Sequence, residues 1–228
     1  WNRFTLWDEY ERYLYYPGEL LRLVSRFVDR ETTVLDVGAG SGALAIPLSR
    51  TARAVTALEP SGAQLKRFKS RLEQEPRSNI RFVRQIWQEA DLPALGRHDL
   101  VLACYSLFMS EIVEALRKIF ALAAIWAVLI HLHNHDLQTL LAELPGSPAP
   151  APDGQLLARV LKEMGVAAET RTVRRTFTLP LALQLDLFRY NSGMSERQAA
   201  VIKTRLKART ASISGTAGTG SRGSTRIK

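Results

Sequence analysis

Two short apolar runs rich in β-branched residues, 33–37 and 54–58, each stop at a polar or turn-forming residue, and between them lies a loop with glycine at 38, 40 and 42. That pattern predicts a buried strand, a tight glycine loop, a helix starting near Ala43, and a second strand ending at Glu59. Downstream, residues 62–74 place apolar positions at helical spacing, and 79–84 alternate as a third strand. A fourth strand is predicted over 100–103, running into Cys104, Tyr105 and Ser106. A helix over 109–122 follows, with Ser110 as its N-cap, and then a wholly apolar fifth strand over 125–130. Further on, the spacing predicts a helix over 155–164 capped by Asp153, a basic alternating edge strand over 167–179, and helices over 181–190 and 195–209. Strands alternating with helices in this order predict an α/β fold. It is a single Rossmann-like domain whose mostly parallel sheet is doubly wound.

Ahead of the first strand, residues 1–30 hold aromatic residues at Trp1, Phe4, Trp7, Tyr10, Tyr13, Tyr15 and Tyr16, then Pro17 and a second amphipathic stretch. Two short helices split by Pro17 are expected. At the other end, residues 210–228 are low in complexity and expected to be disordered. The expected organisation is therefore an N-terminal helical segment over 1–30, an α/β domain over 31–209 and a tail over 210–228.

The net charge of +9 changes this picture less than it first suggests. Residues 195–228 carry eight basic residues and one acidic residue, which leaves 23 basic against 21 acidic residues before position 195. A nearly neutral body with a basic end argues against nucleic acid as the partner and for a small molecule. One cysteine, Cys104, excludes an intrachain disulfide framework and a cysteine metal cluster, and suits a cytoplasmic protein. The longest apolar run, 119–130, is shorter than the roughly 20 residues of a membrane helix. Neither a membrane span nor an oligomeric state is indicated.

The segment Asp36-Val37-Gly38-Ala39-Gly40-Ser41-Gly42, with Glu59 at the end of the next strand, resembles the cofactor site of class I S-adenosylmethionine-dependent methyltransferases of the small-molecule type. The resemblance implies that Gly38, Ala39, Gly40 and Gly42 hold the methionine and ribose parts of S-adenosylmethionine. It also implies a helical lid at residues 1–30 over a methyltransferase domain at 31–209. That makes Tyr15 and Tyr16 candidates for contact with cofactor or acceptor, the alternative being an aromatic stripe packed in the core. Within the domain the resemblance implies that Asp36 lies near the methionine amino group and that Glu59 takes the ribose hydroxyls. Two alternatives share the same residues. Gly38, Gly40 and Ala43 satisfy a relaxed dinucleotide fingerprint, as in an NAD(P)-dependent oxidoreductase, and a non-catalytic cofactor-binding protein would keep the same loop.

Other candidates lie at strand ends. Families of this kind often carry an acid after the third strand, beside the adenine, but here the residues are Gln85, Ile86, Trp87 and Gln88. Trp87 is a candidate for stacking on adenine and equally for the core. Cys104, Tyr105 and Ser106 should lie near the transferred methyl group, because ligands of open α/β sheets sit at the carboxyl ends of the strands where the order reverses. Cys104 is a cofactor-side candidate and Tyr105 a catalytic one. His131 and His133 alternate at the end of the fifth strand and are candidates for a general base or an acceptor contact. Together with His135 they sit too close along a straight strand to converge on one ion, so no metal is expected.

Overall fold

The computed structural model describes residues 9, 12–107, 111–131, 154–173, 178–192 and 194–213. They divide into two compact units. Described residues 15–131 and 154–168 belong to the first, and residues 169–213 with 12–14 to the second.

The first unit is built on five parallel strands in the order β3-β2-β1-β4-β5. They are β1 Thr33–Val37, β2 Ala54–Leu58, β3 Ile80–Val83, β4 His98–Cys104 and β5 Ala123–Ile130. Successive strands are joined by helices: α2 Ala45–Ser49, α3 Gly62–Gln74, α4 Leu92–Leu95 and α5 Ile112–Leu122. Helix α1, Gly18–Val24, and a 3-10 turn, Ser25–Phe27, precede the sheet, and α6, Gly154–Glu163, follows it. The order reverses between β1 and β4, which pair with Asp36 opposite Leu102 and Val37 opposite Ala103.

Alternation along each strand sends successive side chains to opposite faces, and both faces of β1, β2 and β4 are buried. Strand β5, for all its apolar residues, is an edge strand with Ile125 and Trp126 exposed. Val34, Val55, Leu100 and Leu102 join Leu20, Val24, Leu44 and Phe68 in one core. Leu35, Leu58, Val101 and Ala103 join Leu116, Ile119, Leu157 and Leu161 in the other. Helix α3 is capped by Ser61, whose hydroxyl accepts from the Gln64 N–H at 3.3 Å. Helix α5 starts at Ile112 after Glu111, which caps nothing with its side chain. The expected cap Ser110 lies outside the described residues, as does Asp153.

The strand expected over 167–179 is not formed over residues 167–173, which have no regular structure, while Leu179 makes an isolated bridge. Neither alternating set there is apolar: Ala167, Glu169, Arg171 and Val173 make one and Ala168, Thr170 and Thr172 the other, so no face repays burial. In the second unit, α7, Leu181–Ser192, and α8, Glu196–Ile213, run longer than expected, and α8 continues into the segment taken for a tail. Arg189 ties α7 to α8 by pairing with Asp186 at 2.7 Å and Glu196 at 2.8 Å. Ser195 and Gln198 form a reciprocal capping box at the start of α8.

Candidate functional site

At the carboxyl end of β1 the chain turns through Gly38 with φ +75° and Gly42 with φ +82°. Glycine is required at both. A Cβ on Gly38 would lie 2.5 Å from the Ser106 Cβ, and one on Gly42 would lie 2.5 Å from the Phe68 ring. Gly40, also at positive φ, has nothing within 4 Å of its would-be Cβ, so the middle of the loop borders open space. The loop is fixed from beneath by the end of β2, where the Leu58 carbonyl accepts from the N–H groups of Gly38 at 2.8 Å and Ala39 at 3.0 Å.

Glu59 closes the loop from the side. Its Oε2 accepts from the Gly40 N–H at 2.9 Å and its Oε1 from the Ser61 N–H at 2.8 Å. The carboxylate thus links the glycine loop to the cap of α3. Burial pushes its pKa up and the two backbone donors oppose that shift. Two oxygens fixed in this way keep lone pairs for a vicinal diol, which is the chemistry a ribose presents.

Asp36, at 2 % exposure, is more deeply enclosed. Its pKa is pushed up to about 7, first by burial and then by the Glu59 charge. A carboxyl group destabilised by burial and by a like charge is stabilised as an anion when a cation comes beside it.

Across the switch point, Cys104 ends β4 and is buried, accepting a hydrogen bond from the Tyr16 hydroxyl at 3.4 Å. Tyr105 follows at φ +52°, a conformation that costs a bulky residue free energy. Its N–H donates to the Ile130 carbonyl at 2.9 Å and its ring centroid lies 6.1 Å from that of Tyr16. Ser106 donates to the Val37 carbonyl at 2.6 Å. The segment 104–106 is therefore held between the ends of β1 and β5. His131, half-buried, directly follows Ile130, which pairs with Cys104.

Asp36, Gly38, Ala39, Gly40, Gly42, Glu59, Cys104 and Tyr105 thus gather around the ends of β1, β2 and β4. Trp87 does not present its ring there. It is 4 % exposed, sits in the core cluster with Leu58, Val101 and Leu116, and donates its indole N–H to the Ala115 carbonyl at 3.2 Å. Of the two roles open to it, the structure gives it the core one, since a buried indole that has found an acceptor is already satisfied. Its neighbour Ile86 is 47 % exposed and is the apolar side chain offered outward after β3. His133 lies outside the described residues. Among the described residues no three His, Cys, Asp or Glu side chains gather as a metal site would require.

Two supporting residues were not singled out from the sequence. Phe68, one turn beyond Gln64 on the inner face of α3, closes the space over Gly42, and its helical spacing was the available signal. Ser61 supplies both the cap of α3 and a donor to Glu59.

Residues 34–124 match the methyltransferase-domain family. Among curated proteins none matches the chain significantly. Solved structures with the same fold include magnesium protoporphyrin IX methyltransferase from Synechocystis PCC 6803 with bound SAH. It is 19 % identical over 73 % of this chain and 78 % of that one, with a TM-score of 0.56. The N-terminal domain of EvdMO1 with SAH bound is 21 % identical over 64 % of this chain and 70 % of that one, with a TM-score of 0.51. The glycine loop and the acid after β2 lie inside the stretch that matches the methyltransferase-domain family, and the sheet order is that of the fold these methyltransferase structures share.

Proposed function

We propose that the protein transfers a methyl group from S-adenosylmethionine to a nucleophilic atom of a small-molecule acceptor. The observation that carries this is the pair of buried carboxylates bracketing the glycine loop, Asp36 with its pKa pushed up to about 7 and Glu59 fixed by the Gly40 and Ser61 N–H groups. A cationic ligand bearing a diol fits that donor and acceptor set. A pyrophosphate would meet two carboxylates and be repelled.

When bound, S-adenosylmethionine supplies an electrophilic methyl on a sulfonium that is open to in-line displacement. Asp36 would hold the ammonium, Glu59 the ribose hydroxyls, and Gly40 the open passage for the nucleoside's approach. The ends of β4 and β5, with Tyr105 and His131, border the acceptor side. His131 and His133 would accept a proton from an acceptor that arrives protonated, and otherwise the rate comes from holding donor and acceptor in attack geometry. The small-molecule class is supported by the near-neutral body before position 195. Among the described residues no helix is long and apolar enough to cross a membrane, and the single buried cysteine suits a cytoplasmic setting.

The test is calorimetric titration with S-adenosylhomocysteine, NAD(H) and NADP(H), followed by incubation with methyl-labelled S-adenosylmethionine and fractionated cell extract. Binding of S-adenosylhomocysteine alone and label in the low-mass fraction are expected. Binding of a dinucleotide in its place, or label confined to nucleic acid, would overturn the proposal.

A further inference from the structure

A buried titratable side chain outside the site is His98, at the start of β4. Its ring bridges two elements: Nδ1 lies 3.1 Å from the Gly96 carbonyl at the end of α4, and Nε2 lies 3.0 Å from the Thr56 hydroxyl of β2. Arg81 of β3 reaches the same hydroxyl at 3.4 Å and the Leu95 carbonyl of α4 at 3.3 Å. Chemistry fixes the direction of each bond. The Gly96 carbonyl can only accept, so Nδ1 carries the proton, and in a neutral ring Nε2 then accepts from the Thr56 hydroxyl. A guanidinium can only donate, so Thr56 in turn accepts from Arg81. One chain of donors runs from Arg81 through Thr56 and His98 to Gly96.

Protonation of the ring conflicts with that chain. A second N–H, at Nε2, would face a hydroxyl that already accepts from Arg81, and it would set a positive charge near the guanidinium. Burial holds the His98 pKa below its ordinary 6.5, with the Gly96 carbonyl and Asp99 opposing that shift and the Arg81 charge adding to it. Asp99 itself is committed to Thr33, Arg97 donates to the Ala123 carbonyl at the start of β5, and Asp91 caps the far end of α4. Because the folded value lies below the unfolded one, the neutral ring contributes stability that is present above 6.5 and lost as pH falls below it, opposite in sign to Asp36.

What the chain holds is the end of α4, a helix of four residues that is too short to stand by its own bonds. A protonated ring has to turn toward water to satisfy Nε2, and the Gly96 carbonyl then loses its donor. We infer that His98 is a proton-operated latch between α4 and the sheet: neutral, it pins the helix end through Gly96, and protonated, it lets that end go. The connection from β3 to β4, on which Ile86 and Trp87 lie, is thereby loosened on acidification.

The experiment uses the full chain. Imidazole nitrogen NMR reads the tautomer and titration of His98, which His98→Gln identifies among the four histidines. Hydrogen exchange, corrected for the intrinsic rate at each pH, compares the Leu95 and Gly96 amides, bonded to the Asp91 and Leu92 carbonyls, with the amides of β1. In wild type the neutral ring should carry its proton on Nδ1, and protection of the two α4 amides should fall about tenfold more than that of β1 as His98 titrates. In His98→Gln that extra loss should be absent. Thr56→Val keeps the side-chain shape and removes the hydroxyl. With no donor at Nε2 to lose, His98 should then titrate closer to its ordinary value, whereas burial alone would carry it further below. A neutral ring protonated on Nε2, α4 amides that weaken only in step with β1, or a titration lowered further in Thr56→Val would overturn the inference. Tautomer and exchange are read in wild type, so they decide the matter even if a variant fails to fold.

Discussion

At the amino ends of β1 and β4, Asp99 accepts from the Thr33 N–H at 2.8 Å and hydroxyl at 2.7 Å, and nearby Asp29 accepts from Glu31 and Thr32. At the carboxyl ends of the same strands, Asp36 is buried with a second carboxylate, Glu59, as the charge acting on it. The hydrogen bonds from Thr33 hold Asp99 below its ordinary pKa, and those from Thr32 and Glu31 hold Asp29 below its own. Burial drives Asp36 the other way. The same side chain on the same sheet is thus a satisfied structural anion at one end and an unstable one at the other. Asp99 and Asp29, which hold the fold together, have donors supplied by the chain, whereas Asp36 is shifted by burial and by Glu59, the two causes that a ligand cation would oppose.

The sharpest way to break that comparison is to delete one acid from each end. Glu59→Ala should weaken S-adenosylhomocysteine binding by about tenfold or more, because a charge-assisted contact and the tether between Gly40 and Ser61 both go. Asp99→Ala should leave that affinity within about twofold and lower unfolding stability by about 1–2 kcal/mol, by stranding the Thr33 donors. Calorimetry and urea unfolding of both variants check this, and a loss of affinity in Asp99→Ala equal to that in Glu59→Ala would erase the distinction.

A smaller effect should appear in the pH dependence. Asp36 has a folded pKa raised from 3.8 to about 7, so the folded protein binds more protons than the unfolded chain between those values. Its contribution therefore makes stability fall as pH rises from about 4 to about 7, with a slope of at most about 1.4 kcal/mol per pH unit, and level off above. Asp99, whose pKa is lowered, contributes stability that is present above the ordinary carboxylate range and lost as pH falls through its folded value. Asp36→Asn should flatten the fall seen between pH 5 and 7 in chemical denaturation. A ligand ammonium favours the ionised form, so wild-type affinity for S-adenosylhomocysteine should rise from pH 6 to 7 and that of Asp36→Asn should not.

The smallest effect concerns Trp87, which belongs to the core and not to the ligand. Trp87→Phe should cost stability of about 1–2 kcal/mol through lost packing and the lost hydrogen bond to the Ala115 carbonyl, and should leave cofactor affinity within about twofold. A large loss of affinity with an intact fold would return the indole to the adenine site.

Much of the site was legible along the chain because its chemistry is local. The glycines at 38, 40 and 42 and the acids at 36 and 59 belong to one strand–loop–helix–strand unit, whose period and turn residues also place its elements to within a residue or two. Contacts between distant positions were not legible in this way. The sequence could name Trp87 and leave two roles open, but only packing against Leu58, Val101 and the Ala115 carbonyl assigned one. It could name Tyr16, with Tyr15, as a candidate for contact with cofactor or acceptor or for the core, while the bond to Cys104, 88 positions away, required β4 to lie beside β1. The basic stretch over 167–179 alternates as a strand should, yet residues 167–173 are irregular, because alternation without an apolar face supplies no burial to offset the entropy of ordering. Periodicity and turn chemistry act over a few residues and determined the cofactor-side elements by themselves. Burial and strand order act across the whole sheet, and they decided which of those side chains are satisfied and which are left to meet a ligand.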